Sequence, residues 1–346
     1  MPRRLCVFGA GAVGTYLGGL LELGGNDVTL VGRSKILDPM RAAGVHIRDP
    51  GGTERIARPE LITDPGAIGS KFDTIILTVK AYSVAECLPA LASLLSDGGV
   101  ILAFQNGVGS DRLLVSTFGR ERIIASTLTV SVGIDESDVV QRYSDRGGLA
   151  WSPFDAEVDA SCIHDFLASS GLPVTRVRGA DSLRWSKLLL NAVGSAQCAV
   201  LQTDLASIVA NLELFRIEQM AMREAIDATG VARIRLVNLP GYSVRLVSQV
   251  CRLPVRLARQ LMGRSMGRGR GGKPPTLRAD VARGGPNEIR YLNGATVALG
   301  RLVGVETPVN KRLTGLVEDV TDDGDAKLRF AHNPELLIES VLGQRD

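Results

Sequence analysis

Histidine is the scarcest chemistry-bearing residue of this chain: His46, His164 and His332 stand far apart in 346 residues. A catalytic triad or a histidine-lined metal centre would need two or three of them to converge, and nothing beside them suggests it. The five cysteines, Cys6, Cys87, Cys162, Cys198 and Cys251, are odd in number, scattered and without a CxxC pair. That pattern excludes a disulfide framework and a zinc site, and leaves reduced thiols in or near a core. No metal is expected. The longest apolar runs, such as VILAF at 100–104, fall well short of the ~20 residues that cross a bilayer. The opening MPRRLCVFGAGAVG lacks the uninterrupted apolar stretch of a secretory signal, so a mature cytoplasmic N-terminus is expected. A formal charge of +3 is too small to demand a polyanionic partner.

What is present is ordinary globular composition, 45% hydrophobic and 22% charged, which argues against disorder. At roughly 100 to 200 residues per domain, two domains are expected. The first begins with a dinucleotide fingerprint. LCVF forms a short buried strand, Gly9, Gly11 and Gly14 supply G-x-G-x-x-G, a helix follows, and DVTLV is a second strand. The first glycine permits the turn, the second lets a pyrophosphate approach the backbone, and the third lets helix and strand pack closely. Gly9, Ala10, Gly11, Ala12, Val13 and Gly14 are therefore the expected phosphate loop, with the helix N-terminus facing the anion. An NAD-binding chain carries Asp or Glu at the end of the second strand, whereas this one has Arg33 beside Ser34. An arginine there can neutralise a 2′-phosphate, so NADPH is favoured. Lys80 and Gln105-Asn106 sit where later apolar β-runs stop, at the carboxyl edge of a parallel sheet where such folds bind ligands. The stretch GVHIRDPGGTERIARPELI predicts a hairpin-like excursion, and ERIIASTLTVSVGI, GGLAWSP and PVTRV predict strands that close the domain.

From about residue 179 the pattern turns to long apolar helices of period near 3.6. The segment RWSKLLLNAVGS would place Lys187, Asn191 and Ser195 on one helical stripe, a cation among leucines. A snorkelling surface lysine is the plain alternative. A keto carbonyl that accepts a hydride develops negative charge on oxygen, and a positioned ammonium both stabilises that charge and delivers a proton. The segment 252–272 is basic, carrying Arg252, Arg256, Arg259, Arg264, Arg268 and Arg270 and ending in a Gly-Arg alternation. A solvated face is its plain reading, and a flap at the substrate entrance its functional one; with no aromatic but Tyr242 nearby, no stacking platform for single strands is supported.

Across nearly its whole length the chain resembles the ketopantoate reductases. The resemblance rests on FGAGAVG, LTVKAYS, FQNGVGS, WSKLLLNAVGS, GGKPPTLRADVARGGPNEIRYLNG and GVETPVNKRL taken together. It implies a Rossmann-type doubly wound α/β sheet over 1–178, followed by a mostly α-helical substrate domain over 179–346. It also implies NADPH as cofactor and reduction of 2-dehydropantoate to pantoate, by a cytoplasmic homodimer without nucleic-acid or membrane partners. By the same resemblance Lys187 is the catalytic acid and Glu288 contacts the bound ligands near it. Asn106 lies between nicotinamide and substrate, Asn191 faces the same cleft, and Thr276 stands where relatives use a serine to hold the substrate carboxylate. As plain alternatives Asn191 packs a helix, Glu288 complements a helix dipole and Thr276 is a helix N-cap. Two features depart from the family pattern: Ser195 stands where relatives often have a second asparagine, and the basic segment is longer. A different 2-keto acid is thus the alternative substrate class. A non-catalytic NADPH-sensing protein is the further alternative, against which Lys187, Asn191 and Glu288 together argue.

Overall fold

The computed structural model describes residues 4–157, 161–268 and 275–343. Contacts divide the chain into two compact units. The first takes the residues up to Gln105, Ser110–Leu183 and Leu239–Tyr242; the second takes Asn106–Gly109, Arg184–Asn238 and the residues from Ser243 onward.

Among the described residues the first unit is built on twelve strands: β1 Arg4–Phe8, β2 Asp27–Val31, β3 Val45–Arg48, β4 Glu54–Ala57, β5 Glu60–Ile62, β6 Phe72–Leu77, β7 Leu95–Ala103, β8 Ile123–Leu128, β9 Val132–Ile134, β10 Val140–Arg142, β11 Leu149–Pro153 and β12 Val174–Arg176. Eight of them form one sheet in the order β12-β11-β8-β7-β6-β1-β2-β5. From β5 across to β8 all neighbours are parallel, and β11 with β12 runs antiparallel to that block. Strand order reverses at β1, with β2 on one side and β6 on the other, and open parallel sheets bind ligands outside such a switch point. The helices of this unit are α1 Ala12–Leu23, α2 Ser34–Ala43, α3 Val84–Leu94, α4 Asp111–Phe118 and α5 Ser161–Ala168. The doubly wound α/β architecture expected from the sequence is thus present.

The 44–62 excursion forms the antiparallel pair β3–β4, turned at Asp49–Thr53. The segments at 132–134 and 140–142, expected as strands that close the domain, are strands of this unit, and they join the hairpin in a separate sheet of order β4-β3-β10-β9. The reason lies in α1, which packs against β1 and β2 and also against β3, β4, β9 and β10. A helix covered on two sides needs small residues, and a Cβ on Gly19 would come within 2.7 Å of Ile47 Cδ1. Val45 and Ile47 turn inward while His46 and Arg48 alternate outward, the period-2 pattern of a sheet with one buried face.

The second unit is helical: α6 Ala180–Ala192, whose first turn belongs to the first unit, then α7 Ser195–Leu201, α8 Leu205–Ala210, α9 Leu212–Val231, α10 Val244–Val250, α11 Val255–Arg268, α12 Thr276–Ala282, α13 Asn293–Val303, α14 Pro308–Asp322, α15 Gly324–Phe330 and α16 Pro334–Leu342. Helix α9 is the hub, packing against α8, α10, α11, α13, α14 and α16. Asn211 caps it through Oδ1, which accepts from the Glu213 and Leu214 amides. From α9, Glu224 in turn caps α14, accepting the Val309 and Asn310 amides at 2.8 and 2.9 Å and Asn310 Nδ2 at 2.6 Å. Among the described residues no helix is long and apolar enough to cross a membrane, and no cluster of three or more His, Cys, Asp or Glu could hold a metal.

Candidate functional site

The three glycines of the first loop divide the work by geometry. Gly9 has φ +116° and a Cβ there would lie 2.8 Å from the Val79 amide nitrogen, so the turn admits only glycine. A Cβ on Gly14 would fall 2.0 Å from the Gly9 carbonyl oxygen, which fixes the close helix–loop approach. Gly11 is different: it is exposed, with nothing within 4 Å of the position a Cβ would take. Helix α1 starts there with no side-chain cap and no acidic residue in its first turn, so its N–H groups and dipole are open to an anion. Ala10 is buried, and Ala12 and Val13 are half-buried at the start of the helix. These residues fit a dinucleotide pyrophosphate.

A residue that sequence reasoning missed supports the loop. Thr78, just past β6, donates from Oγ1 to the Gly9 and Phe8 carbonyls at 2.6 and 3.2 Å. The only available signal was a hydroxyl residue following FDTIIL. Gln105 is buried and uses its Nε2 on the Leu77 and Val79 carbonyls at 2.9 and 3.3 Å, bracing the carboxyl ends of β6 and β7. Lys80 is half-buried, and its backbone opens the short 3-10 turn Ala81–Ser83 before α3. Arg33 follows β2 at the N-cap of α2, exposed; its carbonyl accepts the Ile36 and Leu37 amides and its side chain caps nothing, and Ser34 and Lys35, also exposed, follow it. Positive charge with a hydroxyl suits a phosphate monoester at that edge.

In the second unit Lys187 and Asn191 lie one turn apart on α6, both half-buried, while Trp185, Leu188 and Leu189 are buried. Asn191 Nδ2 donates to Asn106 Oδ1 at 2.8 Å, uniting residues 85 apart in sequence. The loop bearing Asn106 is held just as firmly from its other side. Val108 N–H donates to the Tyr291 carbonyl at 2.9 Å, and Gly107, at φ +82°, comes so close that a Cβ would lie 2.3 Å from that oxygen. Tyr291 belongs to the 3-10 turn Ile289–Tyr291, which Glu288 opens. Trp185 and Leu188 of α6, Val108 of the loop and Ala295 of α13 share one hydrophobic cluster. Three segments carrying Lys187, Asn191, Asn106 and Glu288 are therefore packed together, with Glu288 buried and its carbonyl accepting the Tyr291 amide.

Ser195 does not extend the stripe of α6, contrary to the sequence expectation. The helix stops at Ala192, the chain turns through Gly194 at φ +65°, and Ser195 opens α7. It is buried, and its Oγ donates to the Asn191 carbonyl, satisfying a terminal carbonyl of α6. Thr276 is exposed as the first residue of α12, and Pro275, not Thr276, is the N-cap. Lys327 Nζ secures the far end of that helix by donating to the Val281 and Ala282 carbonyls. Of the basic segment, Val255–Arg268 is helical and Arg270 lies outside the described residues.

Residues 5–155 match the family described as "Ketopantoate reductase PanE/ApbA", and residues 180–321 match its C-terminal part. The chain is 28% identical to the 2-dehydropantoate 2-reductase of Halobacterium salinarum, over 93% of its own length and all of that protein. Among solved structures it is similar to a PanE/ApbA family ketopantoate reductase from Ralstonia eutropha, with TM-score 0.76 and 24% identity, covering 92% of this chain and 98% of the other. It is also similar in fold to a D-mandelate dehydrogenase solved with NADH and anilino(oxo)acetate, with TM-score 0.78 and 21% identity over 92% and 98% of the two chains.

Proposed function

Because the chain belongs to the ketopantoate reductase family, we propose that it is an NADPH-dependent reductase of a 2-keto acid, and that 2-dehydropantoate, reduced to pantoate on the route to pantothenate and coenzyme A, is its substrate. The α1 N-terminus and the open face of Gly11 hold the pyrophosphate, with Lys80 at the same sheet edge, and Arg33 with Ser34 takes the 2′-phosphate. When bound, the dihydronicotinamide supplies the hydride. Lys187 hydrogen-bonds the keto oxygen, stabilises the charge that develops on it and gives it a proton. Asn106, its Oδ1 engaged by Asn191, keeps Nδ2 as a donor toward ligand. Glu288 orients the ammonium and accepts from a substrate hydroxyl. Thr276 is the hydroxyl group offered to the substrate carboxylate. The enzyme acts in the cytoplasm as a homodimer.

The Asn191–Asn106 hydrogen bond carries this reading, since it joins the polar tip of a sheet-edge loop to the helix that bears the lysine. The test is a panel of 2-keto acids followed by loss of NADPH absorbance, repeated with NADH. Ketopantoate with NADPH should give the highest kcat/KM, and a place among the poorest substrates would remove it. Lys187→Ala should lower kcat by about 10²- to 10⁴-fold with NADPH affinity almost unchanged. Unaltered turnover would take Lys187 out of the mechanism.

One observation favours a second reading, in which another 2-keto acid is the substrate. The Ser195 hydroxyl is engaged with the Asn191 carbonyl, so this position offers no amide to a ligand. The same panel decides between the two.

A further inference from the structure

From residue 228 to residue 279 the chain contains no aspartate or glutamate, yet it carries ten arginines and Lys273. Eleven cations against a net charge of +3 leave the rest of the chain at −8. Within this stretch α10 and α11 pack on α9 through Val244, Cys251, Ala258 and Met262, all buried. The bend between them is tied by its backbone: Gln219 Nε2 donates to the Cys251 and Leu253 carbonyls at 2.9 and 2.8 Å, and Arg223 Nη2 to the Leu253 carbonyl at 2.8 Å. The outer faces of the two helices expose Leu246 (58%), Leu257 (43%) and Leu261 (54%). Beside them Arg245, Arg252 and Arg256 are exposed, and Arg252 shares its charge with Asp227 at 2.8 Å.

Leucines one turn apart on the exposed face of a helix whose charged residues are all arginines suit an occupant that is anionic and has an apolar interior. We propose that the outer face of α10 and α11 docks peripherally on an anionic lipid bilayer, its arginines on headgroup phosphates and its leucines at the headgroup–acyl boundary. Helix α11 has 14 residues, too few to span a membrane, so it lies in the interface. A second copy placed symmetrically on the same face would set cation against cation. A nucleic-acid backbone would satisfy the arginines and leave the leucines in water. The braced bend means that the face is formed before contact, so little ordering is needed on binding. The proposal departs from the expectation of no membrane partner, and it stands independently of the reductase reading.

The test is flotation of the full chain with vesicles of phosphatidylcholine alone and of phosphatidylcholine with phosphatidylglycerol. Association is expected only with the anionic vesicles, falling steeply as salt rises. The Leu257→Asn/Leu261→Asn double variant should bind at least tenfold more weakly, and Arg245→Gln/Arg256→Gln should weaken binding with a shallower salt dependence. Neither pair should change the circular dichroism spectrum. Absence of flotation at low salt overturns the proposal, as does flotation indifferent to the leucines. Tighter binding of a DNA duplex that displaces the vesicles would reassign the face to nucleic acid. A dimer dissolved by the leucine changes would reassign it to self-association.

Discussion

Gly11 and Gly14 belong to one motif but answer to different forces, and alanine separates them. Alanine at 14 must displace the Gly9 carbonyl, only 2.0 Å from its Cβ, so Gly14→Ala should lower stability by several kcal/mol. Alanine at 11 meets no protein atom and sits at an allowed φ of −77°, so Gly11→Ala should unfold in urea within about 0.5 kcal/mol of the parent. Its NADPH affinity should nonetheless fall at least tenfold, measured by titration, since on the proposed reading the methyl would stand in the phosphate's approach. Equal affinity would mean that the pyrophosphate lies elsewhere. The division of labour was legible in the sequence because each glycine holds a fixed place between strand and helix. Thr78 was not, since a hydroxyl after a strand has many uses and only the fold shows that it holds Gly9.

At the scale of elements, period and length foretold the helices, but the join between α6 and α7 was hidden. Nothing in LLLNAVGSAQC forces a break until Leu205 is known to pack where a Cβ on Gly194 would stand, 2.3 Å from Leu205 Cδ1. The second sheet escaped notice for the same cause: short strands reveal their β-content but not their partners. The cap on α14 has a measurable consequence. Burial raises the Glu224 carboxyl above its ordinary 4.5, and the Asn310 and Val309 donors only partly offset that rise. The folded chain therefore holds this proton more tightly than the unfolded chain does. The resulting contribution to stability is complete below about pH 4.5 and is lost as pH climbs through the raised value. Glu224→Gln should cost about 1 to 3 kcal/mol in urea unfolding, since an amide cannot accept from all three donors. The gap between parent and variant should narrow with rising pH across that window. A widening gap would show that the carboxyl is not raised.

The molecule as a whole was half legible. Two units, one doubly wound and one helical, follow from the change of periodicity near residue 179; the short exchanges do not. Leu239–Tyr242 counts with the first unit, where the Pro240 carbonyl accepts Thr129 Oγ1 at 2.8 Å and Gly241 presses on Gly147. No local pattern announces such a return. The expectation of core or near-core thiols fits four of the five cysteines and not Cys162. Burial pushes Cys6 and Cys251 up to about 12, Cys198 is buried, and Cys162 is exposed. Iodoacetamide at mildly alkaline pH should therefore modify Cys162 first and leave Cys6, Cys198 and Cys251 untouched until denaturant is added, as peptide mass mapping would record. Early labelling of Cys6 would contradict the core packing. The charge of the chain carries a last consequence. With eleven of its forty lysines and arginines and no acid in fifty-two consecutive residues, and a surplus of eight acids over the rest, the chain is unevenly charged although nearly neutral. At one neutral pH and low ionic strength it should adhere to both a sulfonate and a quaternary-amine chromatography resin, each gripping a different part of the surface.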